Sequence, residues 1–326
     1  MDYSQIKNHV VGVDIGVSST TYAIVDVRGN IIVQESFLTG EYTSIDSYVA
    51  VLCDKILTMV ESHGGYEKVR SVGVCCPSSN FLTGCIENAP NMPWKGVIPL
   101  AAMMRDRLGL AVALANNSQC IAMGEQTFGV AHGMKDFIVI TLGHGMGSCI
   151  FSNGRIHLGY KGFAGEIGHS CVIPGGRECS CGHQGCLETY CAERGILQTA
   201  RDVMEERSAP SKMRLVEQLT PKLIAEFCDM GDELAIETFR RTGKILGRGL
   251  ANYASIMNPE AIVLTGGIPH AGKWLLEPTE ESFNKHVFRN IKGQTKILVS
   301  MLADGERDVL GASVAAWMVK EYSLFI

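Results

Sequence analysis

The sequence predicts an α/β protein made of two related halves. Residues 10–31 read as strand, tight glycine turn, strand, hairpin turn and third strand, with Asp14 ending the first strand and Gly16 two positions later. Residues 137–156 repeat that pattern, with Thr141 ending the first strand and Gly143 two positions on. A second occurrence of one strand–loop–strand–hairpin pattern points to a duplicated α/β unit, each copy opening on a hairpin that can face a phosphate.

The intervening elements follow from spacing and punctuation. Apolar residues Ile45, Tyr48, Val49, Leu52, Ile56 and Val60 recur at helical intervals across 44–62. Residues 69–76 form a strand that Pro77 stops, 99–108 a helix, and Ala111–Ala115 a short buried strand. An Asn-rich start, favourable for N-capping, opens a helix over 116–128. Residues 192–206 and 221–257 read as helical, the latter broken near Gly231. Ala261–Thr265 is a strand running into Gly266-Gly267, 296–300 another, and a last helix runs to about Tyr322. No low-complexity linker separates the halves. The expected division is 1–117 plus about 306–326 as a smaller N-terminal α/β domain, and 118–305 as a larger one with a cysteine-rich insertion.

Composition narrows the function classes. A chain of 326 residues with 46% hydrophobic and 19% charged residues buries a large core and fits a compact soluble globule. A net charge of −5 argues against a nucleic-acid scaffold, and no run of 18 apolar residues exists to span a bilayer. The N-terminus lacks a signal-peptide core, and most of the 12 cysteines are scattered through apolar runs, as suits reduced thiols in a cytosol.

Cys179, Cys181 and Cys186 are the exception. They lie within eight positions, ten residues after His169, and His169 closes the run Gly165-Glu166-Ile167-Gly168-His169. Four N/S ligands complete a tetrahedral zinc sphere with no open position, a structural metal that leaves Glu166 and Glu188 for another task. A disulfide or idle core thiols are the competing readings. Asp14-x-Gly16-x-Ser18 at a strand end suits a phosphate and water-bridged magnesium, or is an ordinary hairpin. Gly143-His144-Gly145-Met146-Gly147 is a second loop whose main chain can approach an anion, and Gly266-Gly267 a third, suited to a ribose or base rim or simply a strand-to-helix turn. The segment 88–94 offers an amide, Asn91, and an aromatic, Trp94. It is either a sugar-contacting loop or a Pro-rich connection. His132, His183 and His270 read as surface or packing residues.

Taken in order, Asp14-Ile-Gly16-Val-Ser18, Asn91-Met-Pro, Asn116-Asn117, Gly143-x-Gly145-x-Gly147, Glu166-Ile-Gly-His169, Cys179-x-Cys181-Gly-x-x-Gly-Cys186-Leu-Glu188 and Asn258-Pro259…Gly266-Gly267 resemble the ROK family of repressors and sugar kinases. The resemblance implies an actin-like ATPase fold of duplicated domains around an interdomain cleft. It implies that Asn91, Asn116, Glu166, His169 and Glu188 hydrogen-bond the hydroxyls of a hexose or N-acetylhexosamine, with one ring nitrogen of His169 on zinc and the other on the sugar. Asp14, Gly16, Ser18 and the loop Gly143–His144–Gly145–Gly147 would hold the phosphates and magnesium of Mg·ATP, and Gly266 and Gly267 would lie near the adenosine. Repressor members carry an N-terminal helix-turn-helix; nine residues before the first strand leave no room for one, which favours the sugar-kinase branch. A homodimer or homotetramer in the cytoplasm is the family expectation.

Three departures stand out. The family's catalytic base is an aspartate directly after the position of Asn116, where this chain has Asn117. An amide cannot accept the hydroxyl proton, and losing general-base help costs roughly 10²–10⁴-fold in rate. Val17 and Ser19 stand where kinases often have Gly and Lys, and His144 stands for a usual threonine. The expectation is therefore an ATP-dependent hexose kinase acting on O6 with its activity in question, or a non-catalytic sugar-binding regulator. No substitute base is identifiable from the sequence.

Overall fold

The computed structural model describes residues 7–319. Its first elements are β1 (His9–Ile15), β2 (Ser19–Asp26), β3 (Ile31–Leu38), α1 (Ile45–Ser62), β4 (Val69–Cys75), β5 (Ser79–Asn80), β6 (Cys85–Glu87), β7 (Val97–Ile98), α2 (Leu100–Leu108), β8 (Ala111–Ala115) and α3 (Asn117–Phe128). They are followed by β9 (Phe137–Leu142), β10 (Met146–Ser152), β11 (Arg155–Ile156), α4 (Glu188–Cys191), α5 (Glu193–Glu206), α6 (Pro221–Asp229) and α7 (Glu233–Met257). The chain ends with β12 (Ala261–Thr265), α8 (Lys273–His286), β13 (Lys296–Val299) and α9 (Arg307–Met318). Tyr322, the expected end of the last helix, lies outside the described residues. Among the described residues no helix is long and apolar enough to cross a membrane.

The duplication is visible in the sheets. One has the order β3-β2-β1-β4-β8 and the other β11-β10-β9-β12-β13. In each, three consecutive strands pair antiparallel and two further strands join parallel. A short three-stranded sheet, β5-β6-β7, was not expected from the sequence, because its strands are only two or three residues long.

The compact units divide differently from the expected domains. The first comprises residues up to 133, 158–164 and those from 301 on; the second comprises 134–157 and 165–300. Helix α3, assigned by sequence to the far side of a boundary at 117, belongs to the first unit because it packs on α9. Gly124 and Gly311 meet there without side chains, and a Cβ on Gly311 would run into the Cys120 carbonyl. The segment 158–164 joins the first unit as well, held in part by a 3.0 Å hydrogen bond from Asn80 Nδ2 to the Lys161 carbonyl.

Strand alternation then sets the first unit's two faces. Val11, Val13 and Ile15 of β1 enter the core beneath α1 and α2, which includes Tyr48, Leu52, Ile56, Leu100 and Met104. Val10 faces the opposite way, into the cluster with Val309, Leu310 and Ala316 of α9. Gly12 shares that second face, and a Cβ there would collide with the Val309 carbonyl. On the neighbouring strand β4, Ser71 Oγ donates to the Ala316 carbonyl at 2.7 Å, Gly73 lies bare under the Ala312 carbonyl, and Cys75 Sγ donates to Asp308 Oδ1 at 3.8 Å. Two strand residues advance about 6.6 Å and four helix residues about 6 Å, so β4 and α9 stay in step along this whole contact.

In the second unit α7 and α8 pack in the same manner. Helix α8 contains Pro278 and few apolar residues, so spacing alone gave no helix there. It forms against α7 because Gly243 and Gly247 leave room for Pro278 and Thr279, while Leu275 and Phe283 enter the core. Gly231, where the sequence breaks the long helical stretch, has φ +80° and lies between α6 and α7.

Gly73→Ala tests the bare-strand contact. The added methyl meets backbone rather than a movable side chain, so the expected loss is about 3 kcal/mol or more by denaturant unfolding, against well under 1 kcal/mol for Gly40→Ala, where a Cβ meets nothing.

Candidate active site

The face that Gly12 and Gly73 clear for α9 continues to the strand ends, and there it carries chemistry. Asp14 pairs with Cys75 across β1 and β4. One ligating atom from each of Asp14, Cys75 and Asp308 lies within 4.8 Å of the others. Asp14 is half-buried, and its Oδ1 has no hydrogen-bond partner. Burial, and next the Asp308 charge, push its carboxyl up to about 7. Asp308 is also raised by burial, against the pull of the Arg307 charge and of hydrogen bonds from Asn117 and Cys75. Cys75 is fully buried and its thiol is pushed well up, so it is held as S–H.

Asn117 is thus not an isolated amide. It opens α3 beside the start of α9, and its amide is one of the groups that draw the Asp308 carboxyl down. With Cys120 against Gly311 one turn further along each helix, α3 and α9 run in the same direction with their N-termini side by side. Both ends present unpaired backbone N–H groups and a positive dipole end. Asp308 and Cys75 were not singled out from sequence as functional; only the parity of β4 and the first turn of the last helix would have linked them.

The remaining residues assigned to this unit divide by their local bonds. Asn116 is the N-cap of α3 in a capping box: its Oδ1 accepts from Gln119 N at 2.9 Å, while Gln119 Oε1 accepts from Asn116 N at 3.2 Å. One lone pair of its amide oxygen is thereby engaged by the helix, and its Nδ2 is left to donate to a hydroxyl. Asn91 is exposed in a loop closed by Lys95 Nζ, which donates to the Pro90 and Met92 carbonyls. Trp94 of the same segment is buried against Tyr48, with ring centroids 4.4 Å apart, and its Nε1 donates to the Tyr42 carbonyl. That aromatic serves the core. Gly16 and Ser18 form the turn between β1 and β2, closed by Gly16 N donating to Ser19 O at 2.9 Å.

In the second unit the loop equivalent to that turn is shorter than expected. Gly143, His144 and Gly145 form it, whereas Gly147 lies within β10 and pairs with Thr141. Thr141, the counterpart of Asp14, has a buried Oγ1 without a hydrogen-bond partner. Both repeats therefore end their first strand on a polar atom that the protein itself leaves unpaired, as a ligand-facing position would. The Met146 amide is already taken, by Glu188 Oε2 at 2.8 Å. His144 is exposed and its Nδ1 meets the carboxylate of Glu193, whose backbone N–H donates to the Gly143 carbonyl. A cavity of about 610 Å³ opens beside this loop, lined by Gly143, His144, Glu193, Thr220, Lys222, Glu226, Gly267 and His270. Gly266, at φ +93°, lets the chain turn against the Leu142 carbonyl, where a Cβ would collide. His270, read from sequence as a surface or packing residue, lines the cavity.

The cysteine cluster forms a compact knuckle. Gly182 at φ +87° and Gly185 at φ +79° allow its two reversals, with Cys179 N donating to His183 O at 2.8 Å and Gly182 N to Cys179 O at 3.0 Å. Cys179 Sγ lies 3.6 Å from His169 Nδ1, and Cys181 Sγ lies 3.7 Å from Cys186 Sγ. A tetrahedral ion with metal–sulfur bonds of about 2.3 Å sets neighbouring ligand atoms about 3.7 Å apart, so the donor set fits a divalent ion of this kind. Hydrogen bonding from His183 pulls the exposed Cys181 thiol down to about 6, whereas burial and the neighbouring thiols push Cys186 up to about 12. A cation would favour the thiolate at all three positions.

Arg177 ties the knuckle to its support. It donates to the Thr189 and Gly195 carbonyls, to Thr199 and to Asp202, and stacks 4.7 Å from the Tyr190 ring centroid. Glu188 therefore follows the knuckle on a fixed turn, with Glu166 and His169 on the adjoining one. That turn is anchored by Ile167 N donating to Ser148 Oγ at 3.1 Å. His169 turns Nδ1 to the cysteines, which leaves Nε2 for another partner.

The sequence model of the ROK family matches residues 10–321. A glucokinase of Halalkalibacterium halodurans is 32% identical over 323 residues, covering 95% of this chain and 94% of that enzyme. A xylose repressor of Caldicellulosiruptor bescii is 27% identical over 301 residues, 90% of this chain and 75% of the repressor. Among solved structures, a ROK family glucokinase from Streptomyces griseus in complex with glucose and AMPPNP superposes with a TM-score of 0.76 at 29% identity, covering 95% of this chain and all of that one. The α/β architecture is the actin-like ATPase fold of such proteins.

The raised Asp14 carboxyl has a measurable consequence. Below the ordinary carboxylate range both folded and unfolded chains hold its proton. As pH rises the unfolded carboxyl ionises first, so the fold loses stability until Asp14 itself ionises near 7. Asp14→Asn should leave stability at pH 4 almost unchanged and raise it at pH 8 by on the order of 2–4 kcal/mol, read by urea unfolding at both pH values.

Proposed function

Since the chain belongs to the ROK family, we propose that it is a sugar kinase of that family, binding a hexose or N-acetylhexosamine with Mg·ATP and transferring the γ-phosphoryl group to a sugar hydroxyl, O6 in the family's usual reaction. The observation that carries this reading is the knuckle, which holds His169 by Nδ1 and sets Glu188 two residues after Cys186. Carboxylates and an oriented imidazole are the directional donors and acceptors that vicinal hydroxyls require. Within the first unit, Asn91 and the Nδ2 of Asn116 are amide donors suited to a hydroxyl. Zinc held by His169, Cys179, Cys181 and Cys186 would supply structure alone, fixing the imidazole's tautomer and direction. In the first unit the unpaired Asp14 Oδ1 with the turn at Gly16–Ser18 suits a magnesium-bridged phosphate; in the second the unpaired Thr141 Oγ1 with the loop at Gly143–Gly145 suits a phosphate, and the cavity beside Gly267 suits the adenosine. Phosphoryl transfer then rests on positioning and charge neutralisation.

A second reading, a sugar-binding regulator without turnover, is favoured by one feature of the second unit. Glu193 pairs with His144 on the glycine loop, and with Glu226 and Asp229 it puts three carboxylates against one lysine, Lys222, in the cavity wall. Negative charge there opposes an anionic phosphate tail.

A coupled ADP-release assay over hexoses and N-acetylhexosamines, run beside calorimetry of sugar binding, separates the two. The kinase reading expects ADP release that depends on one bound sugar. A sugar that binds in calorimetry yet gives no ADP release, in the wild type and in Asn117→Asp alike, establishes the regulator. For the metal, elemental analysis should find one zinc per chain, and Cys179→Ser should lose it together with at least tenfold of sugar affinity. Protein purified without chelator and lacking zinc refutes that assignment.

A further inference from the structure

Phosphoryl transfer to a hydroxyl needs an acceptor for the hydroxyl proton, and Asn117 cannot be one. The structure supplies a carboxylate on the helix packed beside it. We propose, resting on the kinase reading above, that Asp308 is the general base of this protein, with Asn117 orienting the hydroxyl that Asp308 deprotonates.

Three independent features lead to this residue. First, Cys120 packs against bare Gly311, which sets Asn117 and Asp308, each one turn earlier, at neighbouring helix starts, and the Asn117 amide draws the Asp308 carboxyl down, so the carboxylate adjoins the family's base position rather than lying elsewhere in the fold. An Asn117 N–H turned to Asp308 would leave its carbonyl oxygen to accept from a sugar O–H, which directs the hydroxyl without removing its proton. Second, Asp308 is held in place from several sides. The step between β4 and α9, fixed by Ser71 on Ala316 and bare Gly73 under Ala312, brings Cys75 Sγ to 3.8 Å from Asp308 Oδ1. Arg307 lies on the same turn, its Nε 3.8 Å from Oδ2. Third, Asp308 is half-buried, so it is open to a ligand on one side while the protein holds it on the other.

The balance of the step is ordinary. The sugar O–H bond breaks and its proton passes to an Asp308 carboxylate oxygen, directly or through one water. The freed oxygen bonds the γ-phosphorus of ATP as the bond from that phosphorus to the bridging oxygen breaks, and ADP leaves. The arrangement also explains why an amide suits position 117. Asp14 and Asp308 are already two carboxylates on one partly buried face, and a third beside them would hold a proton and lose its value as a base.

The test is an exchange of the two side chains in the full-length protein. Asp308→Asn should lower kcat at least 100-fold with the sugar KM changed less than threefold, a split that a merely structural role would not give. Asn117→Asp combined with Asp308→Asn, which moves the carboxylate to the family's position and keeps one amide, should recover at least tenfold over Asp308→Asn alone. Asp308→Asn with wild-type turnover, or a double variant no better than Asp308→Asn, overturns the assignment. A wild type without turnover overturns it as well. In that case activity in Asn117→Asp means that only the base assignment has fallen, while silence there with sugar binding intact takes the kinase reading with it.

Discussion

Helix α9 lies directly on the backbone of β1 and β4, and the rest of the first unit follows from that contact. A helix normally stands about 10 Å from a sheet because side chains fill the space between. Here Gly12 and Gly73 present nothing on the facing side, Gly311 presents nothing to α3, and the helix settles until carbonyls touch the strands. Packing of that kind tolerates no sliding. The interlock sets the register between strand ends and the first turn of α9, and so decides that Asp14, Cys75 and Asp308 meet.

That placement has an electrostatic cost which the protein retains. Two carboxylates and a thiol share a partly buried face, and burial raises all three above their ordinary ranges. The N-termini of α3 and α9 and the Arg307 guanidinium offset part of it. A site optimised for stability alone would hold an amide at one of these positions, and Asn117 is such an amide in a place where the family pattern has an acid. The second unit uses a different device for rigidity: a knuckle of three cysteines and a histidine, braced by Arg177, orients an imidazole and two glutamates that would otherwise lie on loops.

Much of this was legible in the chain. The duplicated strand–loop–strand pattern at 10–31 and 137–156 gave the fold class, because a two-residue period and glycine turns report local backbone state. The clustering of His169, Cys179, Cys181 and Cys186 was legible for a similar reason: they fall within eighteen positions, so spacing alone almost determines which atoms converge. Helix α8 was not legible, since its stability comes from the glycines of α7 and not from its own apolar face. The domain boundary at 117 was misplaced because α3 is assigned by what it packs against, and its partner lies 190 positions later in α9.

The sequence by itself determined the α/β class, the duplicated halves, the four side chains that converge in the knuckle and the absence of an acid at position 117, all properties of local spacing or of a single residue's chemistry. Only the tertiary structure decided that Asn116 engages its amide oxygen in a helix cap, that Trp94 belongs to the core, and that an acid nonetheless stands beside Asn117. Asp308 is far along the chain from both Asp14 and Asn117, and nothing in its neighbours announces them. The link passes through three bare glycines and the matched rise of a strand and a helix, a relation between surfaces that no local pattern can express.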